Sequence, residues 1–561
     1  MPASPPPDSV LVRNATIVDG TGAPPQHGDV AVVDGRIAAV GPALSTARLP
    51  YATPVIDAGG RVLAPGFIDI HTHFDPQICW DRLATPCLEH GVTSVLMGNC
   101  SLSLAPVRAA DRRGLAGMFK QIEDIPLSAF EAAVPWSWES YPEYLDFVRE
   151  GLGINVAGLV GHSALRTFVM GAAAQQRTAT PEELASMCTV LADAIRGGAA
   201  GLSTSYVDID EQMKPVPSRF ADREEIVALG RAMKQAGRGL IQTVPVFYNP
   251  PQQLANIREM AEISRQTGLL CSVAPITHAA QGTLWSDSLA LLSEENANGA
   301  RVYGQSMPRS FDMNLRLSES SFLLFALPAW AALMRLPLPE RLAAFRDPAR
   351  RTELRNQSVL LGPLLQIMEI GQTARPEHAH LQGRKVADLA KERGVAPADV
   401  LLDLSCSEGL ETEFQMRNFL HADPEGVTAV LSHPCIHLGA SDAGAHVSQF
   451  CGAGDTTFLL ARWVRELRAF TLEAAVHRLT GQLADDFGIR GRGRIAAGLA
   501  GDLVLFDPAT IDRCEEEFIG DVPGGGNRYV RHARGIDAVL VNGALVWDGK
   551  IYTDSRTGQI V

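Results

Sequence analysis

Short apolar runs recur along the chain, and most end in a polar or chemically active residue. Val62-Leu63-Ala64-Pro65-Gly66-Phe67-Ile68-Asp69-Ile70 runs into His71-Thr72-His73. Val92–Cys100, Asn155–His162, Gly201–Ser205, Gly239–Val244, Cys271–His278, Arg301–Gln305 and Cys435–Asp442 repeat the pattern. Uninterrupted apolar character at this length predicts strands buried on both faces. The stretches between them are longer and read as helical. One example is Pro181–Arg196, opened by Thr180-Pro181-Glu182-Glu183. Strand and helix in alternation predict a parallel (β/α)8 barrel of the TIM type. Both ends of the chain read differently, as short strands joined by tight turns. Val10–Val18 and Val30–Val40, the latter with Asp34-Gly35 at its turn, stand at one end. Gly501–Asp507 and Ile536–Gly543 stand at the other. The two ends are expected to pair in one small β-sandwich domain, giving an α/β chain with the barrel inserted between them.

The expected boundaries are 1–62 and 491–561 for the two parts of the sandwich and 63–490 for the barrel. Residues 307 to about 405 are too long for one βα loop and predict a lid insertion. The formal net charge of −14 has no long Lys/Arg run against it, which argues against nucleic acid as a partner. No apolar run reaches the length of a membrane span, and no membrane partner is expected. The start, Met1–Asp8, lacks the basic and apolar regions of a secretory signal. Nine cysteines without a Cys-x-x-Cys pair suit reduced thiols, so the expected location is cytoplasmic. A homo-oligomeric state is left open.

Strand side chains alternate between faces, so His71 and His73 point the same way at the strand's C-terminal edge. Two imidazoles so placed make half of a metal site. Cys100, His162, His278 and Asp442 also fall at strand ends, where barrel chemistry resides.

In their order, these segments resemble the amidohydrolase superfamily, in its D-aminoacylase (N-acyl-D-amino-acid deacylase) branch. The markers are Pro65–His73, Gly98-Asn99-Cys100, Gly161-His162-Ser163-Ala164-Leu165-Arg166, Gly201–Ser205, Thr277-His278, Ser441-Asp442 and Gly493–Val504. The resemblance spans nearly the whole chain. It implies a zinc site with His71, His73, Cys100, His278 and Asp442 as ligands, and a small-molecule amide as substrate. It further implies hydrolysis of a carbon–nitrogen bond other than a peptide bond. Asp442 would be the general base and His162 an oxyanion donor. The Gly-His-Ser-x-Leu-Arg stretch resembles a substrate-facing loop, with Arg166 as a carboxylate clamp or a structural cap. Tyr206, Arg309 and His446 are further substrate-binding candidates. Trp136 and Trp138 read as packing or a pocket wall. One position departs from the branch: Val244 stands where a histidine is expected after the fifth strand. That substitution predicts one zinc per chain, with Gln242 or His446 as possible replacement donors. Lactone or ester hydrolysis, a metal-dependent lyase reaction and a non-catalytic relative remain open beside amide hydrolysis.

Overall fold

The computed structural model describes residues 8–561 apart from 46–48, 51, 52, 320 and 326. Met1–Pro7, most of the stretch read above for a signal, lie outside the described residues. The chain opens with β1 (Val10–Ile17), β2 (Gln26–Val33), β3 (Arg36–Gly41), β4 (Val55–Asp57) and β5 (Val62–Pro65). The β2–β3 turn is Asp34-Gly35, with φ of 49° and 74°. Left-handed geometry at both positions is what a two-residue hairpin loop demands.

The next strands are β6 (Phe67–Asp69), β7 (Val92–Met97), β8 (Asn155–Gly161), β9 (Gly201–Ser205), β10 (Leu240–Val244), β11 (Leu270–Val273) and β12 (Val302–Gln305). An insertion follows, whose own sheet holds β13 (Phe311–Leu315), β14 (Glu369–Ile370) and β15 (Phe414–Leu420). The insertion therefore extends past the expected end near 405. Phe414 and Met416 belong to its separate apolar core, which fixes β15 there. Then come β16 (Ile436–His437) and the closing strands β17 (Leu503–Phe506), β18 (Asp512–Val522), β19 (Gly526–Arg534), β20 (Ile536–Val541) and β21 (Ala544–Trp547).

Strands β6 to β12 and β16 form one all-parallel sheet in the order β16-β12-β11-β10-β9-β8-β7-β6. Backbone bonds beyond the strand ends close it into a barrel. Ile70 N–H donates to Gly439 O (2.7 Å), His73 N–H to Ala443 O (2.8 Å) and Asp442 N–H to His71 O (2.9 Å). Closure thus brings the first and last barrel segments side by side, 371 residues apart in sequence between His71 and Asp442. The second large sheet joins both chain ends in the order β21-β20-β17-β5-β1-β2-β3, with β4 on β1. Strands β18 and β19 form a separate hairpin, and Tyr529 N–H on it bonds Val447 O beside the barrel mouth.

Candidate metal centre

Strand β6 ends at Asp69, and the alternation continues through His71 and His73. The Nε2 atoms of these two histidines lie 3.5 and 3.7 Å from Cys100 Sγ. The three donor atoms all lie within 4.8 Å of one another. Asp442 Oδ1 stands 3.2 Å from His73 Nε2 and 3.8 Å from His71 Nε2.

Local sequence explains how Cys100 gets there. Gly98, Cys100 and Ser101 all have left-handed backbones, with φ of 83°, 55° and 64°. A Cβ on Gly98 would sit 2.2 Å from Leu159 O, so only glycine fits. Asn99 Nδ2 donates to Thr72 O (3.1 Å) and Leu96 O (2.9 Å), tying this turn to the histidine segment. Cys100 N–H donates to Gln242 Oε1 at 3.1 Å.

Each imidazole has a polar partner facing its far nitrogen. His71 Nδ1 donates to Gln305 Oε1 (2.7 Å), and Gln305 Nε2 donates to Ser272 Oγ (2.8 Å). That chain leaves the lone pair on His71 Nε2. His73 Nδ1 faces Glu123 Oε1 at 3.1 Å. Burial pushes His71 down to about 4, the Asp442 charge working against it, so the ring is neutral at pH 7 as a metal donor must be. Burial raises the Cys100 thiol well above its ordinary range, and Glu123, Asp208 and Asp442 add to the rise. Burial also raises Glu123, reinforced by Asp442, Asp208, Asp124 and Asp75. Burial works to raise Asp442, but His73, His446 and His71 outweigh it and hold the carboxyl below its usual range.

These features fit a divalent ion. A tetrahedral zinc with nitrogen at about 2.1 Å and sulfur at about 2.3 Å separates its donors by roughly 3.5 Å. The two Sγ–Nε2 distances of 3.5 and 3.7 Å match that spacing. Carboxylates crowd the thiol, and a cation among them relieves their mutual repulsion.

The remaining expected site residues lie elsewhere or face other partners. His278 stays outside the cluster. Strand β11 ends at Val273, with Pro275 two residues on, earlier than the sequence suggested. His278 packs edge-on to Trp285 (4.9 Å between centroids), against Gly426, with Nε2 4.0 Å from Asp423. His162 and Arg166 lie on the helix His162–Met170, not on a loop. His162 bonds Thr204 Oγ1 (3.0 Å) and Glu225 Oε1 (2.8 Å), so both ring nitrogens are spent and no oxyanion donor remains. Arg166, 0% exposed, pairs with Glu225 and donates to Arg177 O (2.8 Å), so it is no substrate clamp. The Tyr206 hydroxyl faces Glu259 on the helix Pro250–Thr267. Arg309 is buried against Ser441 O and Asp455. His446 does reach the centre, with its ring nitrogens 4.0 Å from Asp442 Oδ2 and 3.7 Å from Asp124 Oδ2. Val244, buried at the end of β10, brings no donor.

The sequence reading missed Glu123, Asp124 and Gln305. Gln305 ends β12 and could have been found as an inward polar residue at a barrel-strand end. Glu123 and Asp124 close the helix Arg112–Glu123 and carry no comparable signal.

Residues 54–354 match the model of a family described as the amidohydrolase family. The chain is 30% identical over 559 residues to a D-aminoacylase of Alcaligenes xylosoxydans xylosoxydans, covering 99% of this chain and 98% of that one. It is 29% identical over 547 residues to an N-acyl-D-glutamate deacylase of the same organism, covering 96% and 93%. Among solved structures, a D-aminoacylase superposes with a TM-score of 0.66 at 26% identity, covering 99% of each chain. An N-acyl-D-glutamate deacylase from Bordetella bronchiseptica, complexed with zinc and a phosphonate mimic of the tetrahedral intermediate, gives 0.65 at 26% identity, covering 98% of each.

Proposed function

The chain belongs to the amidohydrolase family and is a metal-dependent hydrolase of amide bonds, and we propose that it deacylates an N-acyl-D-amino acid. The observation that carries this reading is the convergence of His71 Nε2, His73 Nε2 and Cys100 Sγ beside the Asp442 carboxylate. The relatives named above, aligned over nearly the full length, supply the substrate class. Zinc is the ion we assign, one per chain, because the donors are two imidazoles and a thiolate and Val244 adds none. When bound, the ion supplies an acidified water and polarises the scissile carbonyl.

Asp442 is ionised at neutral pH, so it can take the proton of the attacking water. It then returns that proton to the leaving nitrogen. His71 and His73 would hold the ion through Nε2, with their rings oriented by Gln305 and Glu123. Burial works to lower His446, but Asp124 and Asp442 outweigh it and raise it above its ordinary range. It is therefore the hydrogen-bond donor we place beside the reacting groups, the role His162 cannot fill. We divide the chain at residues 62 and 490 into sandwich and barrel parts, with the insertion carried on the barrel.

The test is a panel of N-acyl-D- and N-acyl-L-amino acids, dipeptides and lactones, assayed with added zinc. Turnover of N-acyl-D-amino acids above all others is expected. Preference for a lactone, or for the L series, would overturn the substrate assignment. Among the described residues no helix is long and apolar enough to cross a membrane. The partner required by this reading is the small-molecule substrate alone.

A further inference from the structure

Asp442 has a left-handed backbone, φ 62°. A non-glycine residue holds that conformation at a cost, and only where its surroundings enforce it. Part of the enforcement comes from the strand that carries the histidines. Asp442 N–H donates to His71 O, and Ser441 Oγ donates to the Asp69 carboxylate while accepting from Ala443 N–H (3.0 Å). Another part comes from a different quarter. Arg309 Nη2 donates to Ser441 O at 2.9 Å, on the peptide that leads into Asp442. The Nε of the same guanidinium meets Asp455 Oδ1 at 3.0 Å, and its plane lies over Phe450, 5.0 Å from the ring centre. Arg309 is 4% exposed and Asp455 3%. The neighbouring Pro308 is held in turn, since Trp463 Nε1 donates to its carbonyl at 2.7 Å. On its other side Asp455 faces Arg513 of β18 at 3.8 Å.

A buried ion pair is poor evidence for stability, because desolvation offsets most of the attraction. What this pair supplies is direction. A planar fork held by Asp455 on one edge and Phe450 on one face can meet the Ser441 carbonyl from only one side. We propose that Arg309, oriented by Asp455, is a positioning residue for Asp442. It fixes the Ser441–Asp442 peptide so that the carboxylate projects at His73 Nε2 and the reacting centre. Arg309 itself meets neither substrate nor metal. The inference rests on the reading of Asp442 as general base.

The experiment compares Arg309→Lys, Arg309→Met, Asp455→Asn and Asp442→Asn as zinc-loaded full-length proteins. Readouts are kcat, KM, zinc content, thermal midpoint and inhibition by a phosphonate analogue of the preferred substrate. A lysine cannot span both Ser441 O and Asp455, so Arg309→Lys should lower kcat by about 10- to 100-fold, the scale of a misplacement near 1 Å. KM and zinc content should stay close to the parent values. Phosphonate inhibition should weaken in step with kcat/KM, as expected when only transition-state complementarity is lost. Should Arg309→Met not fold, Arg309→Lys, which keeps the charge opposite Asp455, carries the test. A folded, zinc-loaded Arg309→Lys with kcat within about twofold of the parent would overturn the proposal. So would a raised KM at unchanged kcat, since that marks a substrate contact. Normal turnover in Asp442→Asn would reject the base assignment itself. An impaired Asp442→Asn beside unimpaired Arg309 variants rejects the positioning role alone.

Discussion

Two buried polar clusters sit at the C-terminal ends of the barrel strands, built from similar residues and arranged to opposite effect. In the first, His162, Arg166 and Glu225 face one another with Thr204: both ring nitrogens of His162 are bonded, and Arg166 is spent on Glu225 and the Arg177 carbonyl. In the second, His71, His73, Cys100 and Asp442 aim at a common point, while their far sides are held by Gln305, Glu123 and the His71 carbonyl. The first has a cation for its carboxylate. The second gathers Asp442, Glu123 and Asp208 around a thiol, with His446 between Asp442 and Asp124. Histidine and carboxylate at a strand end are therefore no sign of chemistry by themselves. What marks a reactive site is donors held from behind and left open in front.

The sharpest way to break this comparison is to open the closed cluster. Arg166→Leu strands the Glu225 carboxylate in the interior with His162 alone, and loss of one partner from a buried pair costs about 3–5 kcal/mol. Chemical denaturation should show that loss, while turnover per folded, zinc-loaded molecule stays near parent. A large drop in turnover of the folded fraction would mean that the closed cluster takes part in catalysis. The same cluster has a pH signature. Burial works to raise Glu225, but His162 and Arg166 outweigh it and bring it from 4.5 down to about 2. A carboxyl lowered on folding adds stability that is full above its ordinary value and is lost as pH falls from about 4.5 towards 2. Glu225→Gln should flatten the denaturation profile across that window, and an unchanged slope would contradict the pairing.

The open cluster should respond in chemistry rather than in stability. Asp442→Asn is nearly isosteric and should fold with most of its metal, yet turnover should fall by at least about 10²-fold. If turnover instead follows metal content in proportion, Asp442 is a ligand only and the proton needs another carrier. A smaller effect is expected behind the ligands. Glu123→Gln keeps the shape at His73 Nδ1 but removes the carboxylate, and zinc affinity should weaken by about 10-fold or somewhat more. Competition with a chromophoric chelator measures it, and unchanged affinity would show Glu123 to be a packing group.

The barrel and the first-strand histidines were legible because apolar strand length and two-residue alternation are local properties. Cys100 entered through the resemblance, as the end of Gly-Asn-Cys after a strand, and the fold brings its Sγ beside the two histidines. For Arg166 the clamp and the structural role stayed open in the sequence, because its partner, Glu225, lies 59 residues further on and only the fold brings them together. His278 was placed at the centre by the resemblance, but β11 ends at Val273 and the chain beyond Pro275 carries the imidazole to Trp285 and Asp423. Glu123 reaches His73 from the end of a helix, and no periodicity in the sequence announces that approach.

The central claim is that His71, His73 and Cys100 hold one zinc ion with Asp442 beside it. Elemental analysis of the purified chain, alone and as Cys100→Ala, tests that claim most directly. About one tightly held zinc per chain is predicted for the parent and a large loss for Cys100→Ala. Two tightly held ions in the parent, or full occupancy in Cys100→Ala, would contradict it.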